Sequence, residues 1–140
     1  MAATQQNPLN LLLPLARLTQ HVEAAIAQVL AESDLKVEDW RVLDDLAGRR
    51  TVPMTDLAKA TMITGPTLTR TVDRLVSRGL MYRTTDLHDR RRVLVSLTRR
   101  GRNLRGRLAI AVAEAERAAF ESRGLDVDQL RELVCAPSAQ

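Results

Sequence analysis

The chain has 140 residues, 45% of them hydrophobic, with Trp40, Tyr82 and Phe120 as its only aromatics; one domain burying roughly two-thirds of its unfolded surface is expected, its core built from Leu, Val, Ile and Ala. One cysteine and two histidines exclude an internal disulfide and a structural zinc site, and no apolar run approaches the ~18 residues of a membrane span, so a soluble cytoplasmic protein without cofactor is expected. The net charge of +4 hides a division: Arg49 to Arg107 holds fifteen Arg and Lys against four Asp, a net of +11, while the flanks together carry −7, an asymmetry that points to a polyanionic partner.

Residues 1–8 are polar and expected to be loose. Leu11, Leu15, Leu18, Val22, Ala25, Ile26 and Val29 then recur at helical spacing, predicting an amphipathic helix that ends between Leu30 and Ser33. Because Pro suits a first turn, the regular part is expected from about Pro14, with Leu9 to Leu13 a partly helical, apolar arm. A second helix is predicted from about Val37 to Ala47, burying Trp40, Leu43 and Leu46 and stopped by Gly48. Arg50 to Val52 reads as a short strand, and Pro53 as the opening of a third helix through Leu57 to Ala60. Thr64 is placed to cap a fourth, running to Arg78 and ended by Gly79. Along it Leu68, Val72, Leu75 and Val76 form an apolar stripe, which leaves Thr67, Arg70, Arg74 and Ser77 projecting away from the core.

Alternation through Leu80 to Thr84, a turn over Asp86 to Arg91 and renewed alternation at Val93, Val95 and Leu97 predict a hairpin with a charged tip. Thr98 is positioned to cap a fifth helix reaching about Ser122, with Leu104, Leu108, Val112, Ala115 and Ala119 on one side. Asp126 with Gln129 has the form of a capping box for a last helix ending near Cys135, after which the tail is expected to fray. The helix-turn-helix and hairpin form a unit of their own, so the apolar faces of the first, fifth and last helices need another partner. A second copy packed on them would place two recognition helices about a two-fold axis. The expected fold is therefore mainly α with a small β-hairpin wing: residues 1–140 form a single domain, 37–98 a winged helix-turn-helix lobe, and 9–33 with 99–135 the dimerisation helices.

The segment VPMTDLAKATMITGPTLTRTVDRLVSRGLMYRTTDLHDRRRVLVSLTRRG resembles, in order and spacing, the MarR family of bacterial transcriptional regulators. Three parts carry the likeness: Asp56 to Ala58, the run from Leu68 to Leu75, and Asp86-x-x-Asp89-x-Arg91 ahead of Val95-x-Leu97-Thr98. The resemblance covers nearly the whole chain and implies a winged-helix homodimer on a roughly palindromic operator, usually as a repressor, often released by a small molecule. Two positions depart from the family's habit. Leu87 stands where the wing often has Pro, which leaves the tip more mobile, and Val37 stands where Ser or Thr often caps the second helix, a loss of ~1 kcal/mol that packing can cover.

Candidate DNA-binding residues follow from position and chemistry. Thr67, Thr69, Arg70 and Arg74 lie on or near the outward face of the fourth helix, where hydroxyls meet bases or phosphates and Arg bridges guanine edges; Gly65 and Pro66 at its start permit close backbone approach to a phosphate. The alternative is a solvated face with Asp73 pairing a neighbouring arginine. In the wing, Arg90 and Arg91 are candidates for a narrow minor groove; the resemblance singles out Arg91, with Asp89 orienting it. Arg99, Arg100, Arg102, Arg105 and Arg107 crowd a helix start where the dipole disfavours cations, so DNA phosphates or the acidic helices at the chain ends must compensate. The resemblance places effectors where the dimerisation helices meet the DNA-binding lobe, with His21, Trp40 and Tyr82 as conceivable lining residues. Cys135 is read as a small apolar residue or a redox switch. Catalysis lacks its parts, with no Gly-rich phosphate loop and no carboxylate pair. The competing function is a protein-interaction module whose basic face serves only solubility.

Overall fold

The computed structural model describes residues 10–137, so the expectations for residues 1–9 and for the end of the tail lie outside the described residues. Within them six helices and three strands follow one another: α1 (Leu12–Ala31), α2 (Val37–Ala47), β1 (Val52–Pro53), α3 (Met54–Thr61), α4 (Gly65–Ser77), β2 (Met81–Thr85), β3 (Val93–Leu97), α5 (Arg99–Glu121) and α6 (Val127–Cys135). None of the described helices is long and apolar enough to cross a membrane.

Local chemistry accounts for most of these boundaries. Helix α1 starts two residues ahead of the expected Pro14, because the first four N–H groups of a helix have no intrahelical acceptor and a proline third in line forfeits nothing. Leu12 and Leu13 are thus helical and, with Leu11 and Leu15, exposed. At α2 the absent hydroxyl cap is replaced from inside the helix. The Asp39 carboxylate accepts the backbone N–H of Lys36, the N-cap, at 2.7 Å, which is the return half of a capping box. Pro53 precedes α3 in an extended conformation. The turn from α3 to α4 passes through Met62, whose φ of 57° is left-handed and which holds its side chain in solvent while Ile63 is buried. Asp126 accepts the N–H groups of Asp128 and Gln129 at the start of α6. Arg117 of α5 ties α6 back through a hydrogen bond to Asp128, which raises the pKa of its guanidinium above the ordinary value.

Helix α2 lies at the centre and touches α1, α3, α4, α5 and β3. Its Val42, Leu43 and Leu46 are fully enclosed together with Leu57, Leu75 and Val72. The sheet runs β1-β3-β2, with Val52 opposite Val95 and Met81 opposite Leu97, all four in the core. Helix α1 packs along α5, bringing Val22, Ile26 and Leu30 into the same core cluster as Val112 and Ala119.

One junction joins the recognition helix, the wing and α5. Gly79, with φ of 69°, ends α4, and Leu80 follows as a buried residue. Thr98 then makes three bonds: its N–H donates to the Leu80 carbonyl at 3.0 Å, its hydroxyl donates to the Gly79 carbonyl at 2.6 Å, and its oxygen accepts the Gly101 N–H at 3.1 Å. Gly101 lies directly against Leu80. A Cβ at position 101 would overlap the Leu80 carbonyl oxygen far inside van der Waals contact distance, with the carbonyl carbon at 3.0 Å. Backbone cannot swing aside as a side chain can, so Gly101→Ala is expected to destabilise the fold by about 3 kcal/mol. Gly106, on the same helix, has nothing within 4 Å of its would-be Cβ, and Gly106→Ala should instead gain up to about 1 kcal/mol of helix propensity. Urea denaturation midpoints of the two variants should move in opposite directions.

Candidate nucleic-acid interface

The buried stripe of α4 is Leu68, Thr71, Val72 and Leu75, which turns Gly65, Pro66, Thr69 and Arg70 to solvent and leaves Thr67 half-exposed. Two of the threonines are partly engaged. The Thr69 hydroxyl donates to the Gly65 carbonyl at 3.0 Å, and Thr67 receives the hydroxyl of Thr64 at 3.3 Å, so Thr64 takes an extended N-cap conformation without bonding the helix N–H groups. Arg70 has no ion pair among the described residues.

Arg74 departs from the expected outward projection. Its guanidinium pairs with Asp39 of α2, whose side chain is 0% exposed, while Arg74 itself retains only 34% of its side-chain exposure. A buried carboxylate draws Arg74 inward from the face on which periodicity puts it, because an unpaired charge there would cost several kcal/mol. The next arginine along is also used by the fold. Arg78 donates to the carbonyls of Asp34 and Ser33 at 2.7 and 2.8 Å, holding the turn between α1 and α2. The competing expectation for Asp73 is met by Arg83 of β2, which pairs with it and so connects the recognition helix to the wing.

At the wing tip two carboxylates shape the loop. Asp86 accepts the His88 N–H at 2.9 Å and Asp89 accepts the Arg91 N–H at 3.0 Å; the Arg92 N–H closes on the Asp89 carbonyl at 3.0 Å. Asp89 therefore engages the backbone of Arg91, not its guanidinium. Arg92 pairs with Asp86 at 3.7 Å, whereas Arg90 and Arg91 are exposed and have no ion pair among the described residues. Between wing and recognition helix, Thr69, Arg83, Arg91 and Arg92 share a cleft with Thr55 at the start of α3.

The arginines opening α5 are compensated partly by α2, one of the acidic helices of the flank that precedes Arg49. Arg105 donates twice to Asp44, at 2.6 and 3.1 Å, with its guanidinium 6.0 Å from the Trp40 ring centroid. Arg102 faces the carbonyls of Ala47 and Arg49 at 3.5 and 3.4 Å, where the C-terminal dipole of α2 favours a cation. Arg99, Arg100 and Arg107 have no ion pair among the described residues.

The three residues suggested for a ligand pocket do not converge. Trp40 lines a cavity of about 440 Å³ between α1, α2, α5 and α6, with Val22, Ile26, Val112, Phe120 and Leu130 as apolar wall and Glu23, Arg41 and Asp44 among the charged members. His21 faces a separate groove, its Nε2 3.0 Å from the Ser122 hydroxyl. Tyr82 stands on β2, 46% exposed, outside that cavity, because Met81 takes the inward position of the strand. Cys135 is exposed on α6.

This architecture has relatives among known proteins. The profile of the MarR family matches residues 35–93. A homoprotocatechuate degradative operon repressor of Escherichia coli is 31% identical over 103 residues, covering 71% of this chain and 70% of that protein. The structure of Bordetella bronchiseptica BpsR, described as regulated in its DNA binding by 6-hydroxynicotinic acid, superposes with a TM-score of 0.75 at 30% identity over 86% of this chain and 85% of that one. A mutant MarR of E. coli complexed with operator DNA superposes with a TM-score of 0.76 over 89% of each chain; at 24% identity it speaks for the fold alone.

The pairing pattern separates two arginines that lie one helical turn apart. Arg74→Ala leaves Asp39 buried without its cation and should cost about 3 kcal/mol of stability, whereas Arg70→Ala removes a solvated side chain and should stay within about 0.5 kcal/mol of the parent. Thermal or chemical denaturation of the two variants reads the difference directly.

Proposed function

This chain belongs to the MarR family of DNA-binding transcriptional regulators, and on that premise we propose that it acts in the cytoplasm as a homodimeric repressor that binds and does not catalyse. Residues 37–98 are the DNA-binding lobe, and 9–33 with 99–135 supply the dimerisation helices. The observation that carries this reading is the sorting of arginines. Those at 74, 78, 83, 92, 102 and 105 are bound to carboxylates or carbonyls of the chain itself, while Arg70 on the recognition helix and Arg90 and Arg91 on the wing tip have no ion pair among the described residues and can meet phosphates and base edges. Gly65, Pro66, Thr67 and Thr69 line the same approach, and Asp89 orients the tip through the Arg91 backbone. Dimerisation is supported by apolar side chains that the single chain leaves in solvent: Leu12 and Leu15 of α1, Ile110 of α5, and Leu133 and Val134 of α6.

The cavity beside Trp40 is the effector site in this reading. An apolar wall with Arg41 and Arg105 close by fits a small aromatic acid, the class to which the 6-hydroxynicotinic acid of the BpsR description belongs.

Salt discriminates DNA binding from a protein-interaction module. If each dimer neutralises on the order of 6 to 10 phosphates, affinity for duplex should fall ~1,000-fold or more between about 50 and 200 mM salt; a flat response would favour the interaction module. Arg91→Ala is expected to weaken duplex binding while the fold survives, and unchanged affinity in a gel-shift titration would remove the wing from the mechanism. For Arg70→Ala the expected loss is roughly 1 to 3 kcal/mol on the preferred duplex and less on random sequence; an equal loss on both would make Arg70 a phosphate contact. Footprinting on DNA flanking the protein's own gene should reveal two half-sites about 34 Å apart.

A further inference from the structure

Helix α2 shows opposite sides to the cavity and to the recognition helix. Val37, Trp40, Arg41 and Asp44, at i, i+3, i+4 and i+7, line the cavity, which puts them on one face of the helix. Asp39 lies on the other side, where its carboxylate is fully enclosed and holds Arg74 of α4. Three charged residues of this single helix reach three different neighbours: Asp39 to Arg74 of α4, Arg41 to Glu23 of α1, and Asp44 to Arg105 of α5. The last two pairs involve cavity-lining residues whose carboxylates are themselves partly exposed, so a charged ligand or water can replace either partner. The first cannot be exchanged in that way. Asp39 has no solvent to turn to, and the Nε of Arg74 is buried with no acceptor among the described residues, so the guanidinium has no second acceptor there to fall back on.

We infer that the Asp39–Arg74 pair is the link through which occupancy of the Trp40 cavity reaches the recognition helix, both residues being positioning residues for DNA binding and not contacts to it. The inference rests on the reading of that cavity as the effector site. A ligand that wedges between α1, α2 and α5 moves α2 as a body, since an 11-residue helix does not bend to absorb a displacement at its side. Parting Asp39 from Arg74 would strand a buried charge. Helix α4 follows instead, and with it the side chains presented to DNA. Linkage makes the coupling reciprocal, so duplex binding must also alter the cavity.

The test needs no effector. Thr19 of α1 is exposed and lines the cavity, so Thr19→Trp fills the space with an aromatic side chain that stands in for ligand. Dissociation constants would be measured for the wild type, Thr19→Trp, Asp39→Asn and the double variant on the duplex that the wild type enriches from a random-sequence library. Filling the cavity should weaken binding about tenfold or more in the wild type but less than about threefold once Asp39 is neutral, because the link is already cut. Arg74→Lys, which keeps the charge and loses the guanidinium geometry, runs in parallel as a second way of loosening the pair without burying a lone carboxylate. Additive effects in both cycles would overturn the inference, and so would a Thr19→Trp variant that binds as tightly as the wild type. Failure of the wild type to enrich any duplex is a different result, one that removes the DNA-binding reading itself.

Discussion

The recognition helix and the wing meet α5 at a close contact of backbone on backbone. At the start of that helix Gly101 rests on the carbonyl of Leu80, and Thr98 bonds Gly79, Leu80 and Gly101 at once. The three residues 79–81 are where the recognition helix stops and the wing begins. A backbone contact is stiff: no rotamer is available to take up a small displacement, and interiors packed to this density transmit strain instead of dissipating it. The requirement for glycine at position 101 is therefore a requirement for closeness, quite unlike that at Gly79, where the left-handed backbone is what matters.

Around that junction the excess of arginine is divided between two tasks. A lobe with this much positive charge repels itself unless some of the cations are neutralised internally. Acids from every level of the lobe do this: Asp39 and Asp44 on α2, Asp73 on α4 and Asp86 at the wing root each hold one arginine. The exposed pairs contribute little to stability individually. Their effect is on orientation, since an arginine tied to a neighbouring element braces that element. Arg70 on α4, Arg90 and Arg91 at the wing tip, and Arg99, Arg100 and Arg107 on α5 are left without an acid among the described residues, and a duplex approaching the recognition helix and wing meets the field of the first three.

The sequence is most legible where structure is decided locally. Gly48, Gly79, Pro53, Thr98 and Asp126 act within a few residues of themselves, and the helices they bound begin or end where expected. The apolar periodicity of α4 likewise identifies Leu68, Val72 and Leu75, although the polar Thr71 joins them in the core. What periodicity cannot show is the use of a charge. Arg74 and Arg70 look alike from the sequence, and only the fold brings Asp39, 35 residues away, against one of them. A sign was nevertheless present: Asp39 lies on the same face of α2 as Val42, Leu43 and Leu46, and an acid inside an apolar stripe demands a cation from elsewhere. The arginines of α5 pose the same problem, their acid lying 61 residues back at Asp44. Tyr82 shows a different limit, since a strand that alternates can be set with either face inward and the aromatic ring here is the face turned out.

The length of α5 gives these contacts their leverage. A helix of 23 residues is about 35 Å long, and a tilt of about 5° carries its far end through roughly 3 Å. Direct hydrogen bonds to bases tolerate only about 0.5 Å of error in donor to acceptor distance. With a rigid junction at one end of α5 and unpartnered apolar surface toward the other, a rearrangement too small to disturb the core of either chain is enough to lift a recognition helix out of register with its groove. The two half-sites of the proposed dimer must be satisfied together, so the tolerance applies to the distance between two such helices and is stricter than for one. Control of DNA binding in this fold therefore requires no unfolding and no large motion. It requires that α2 and α5 be held against one another by contacts that a small molecule can reach, and the exposed pair of Asp44 with Arg105 beside the Trp40 ring is such a contact.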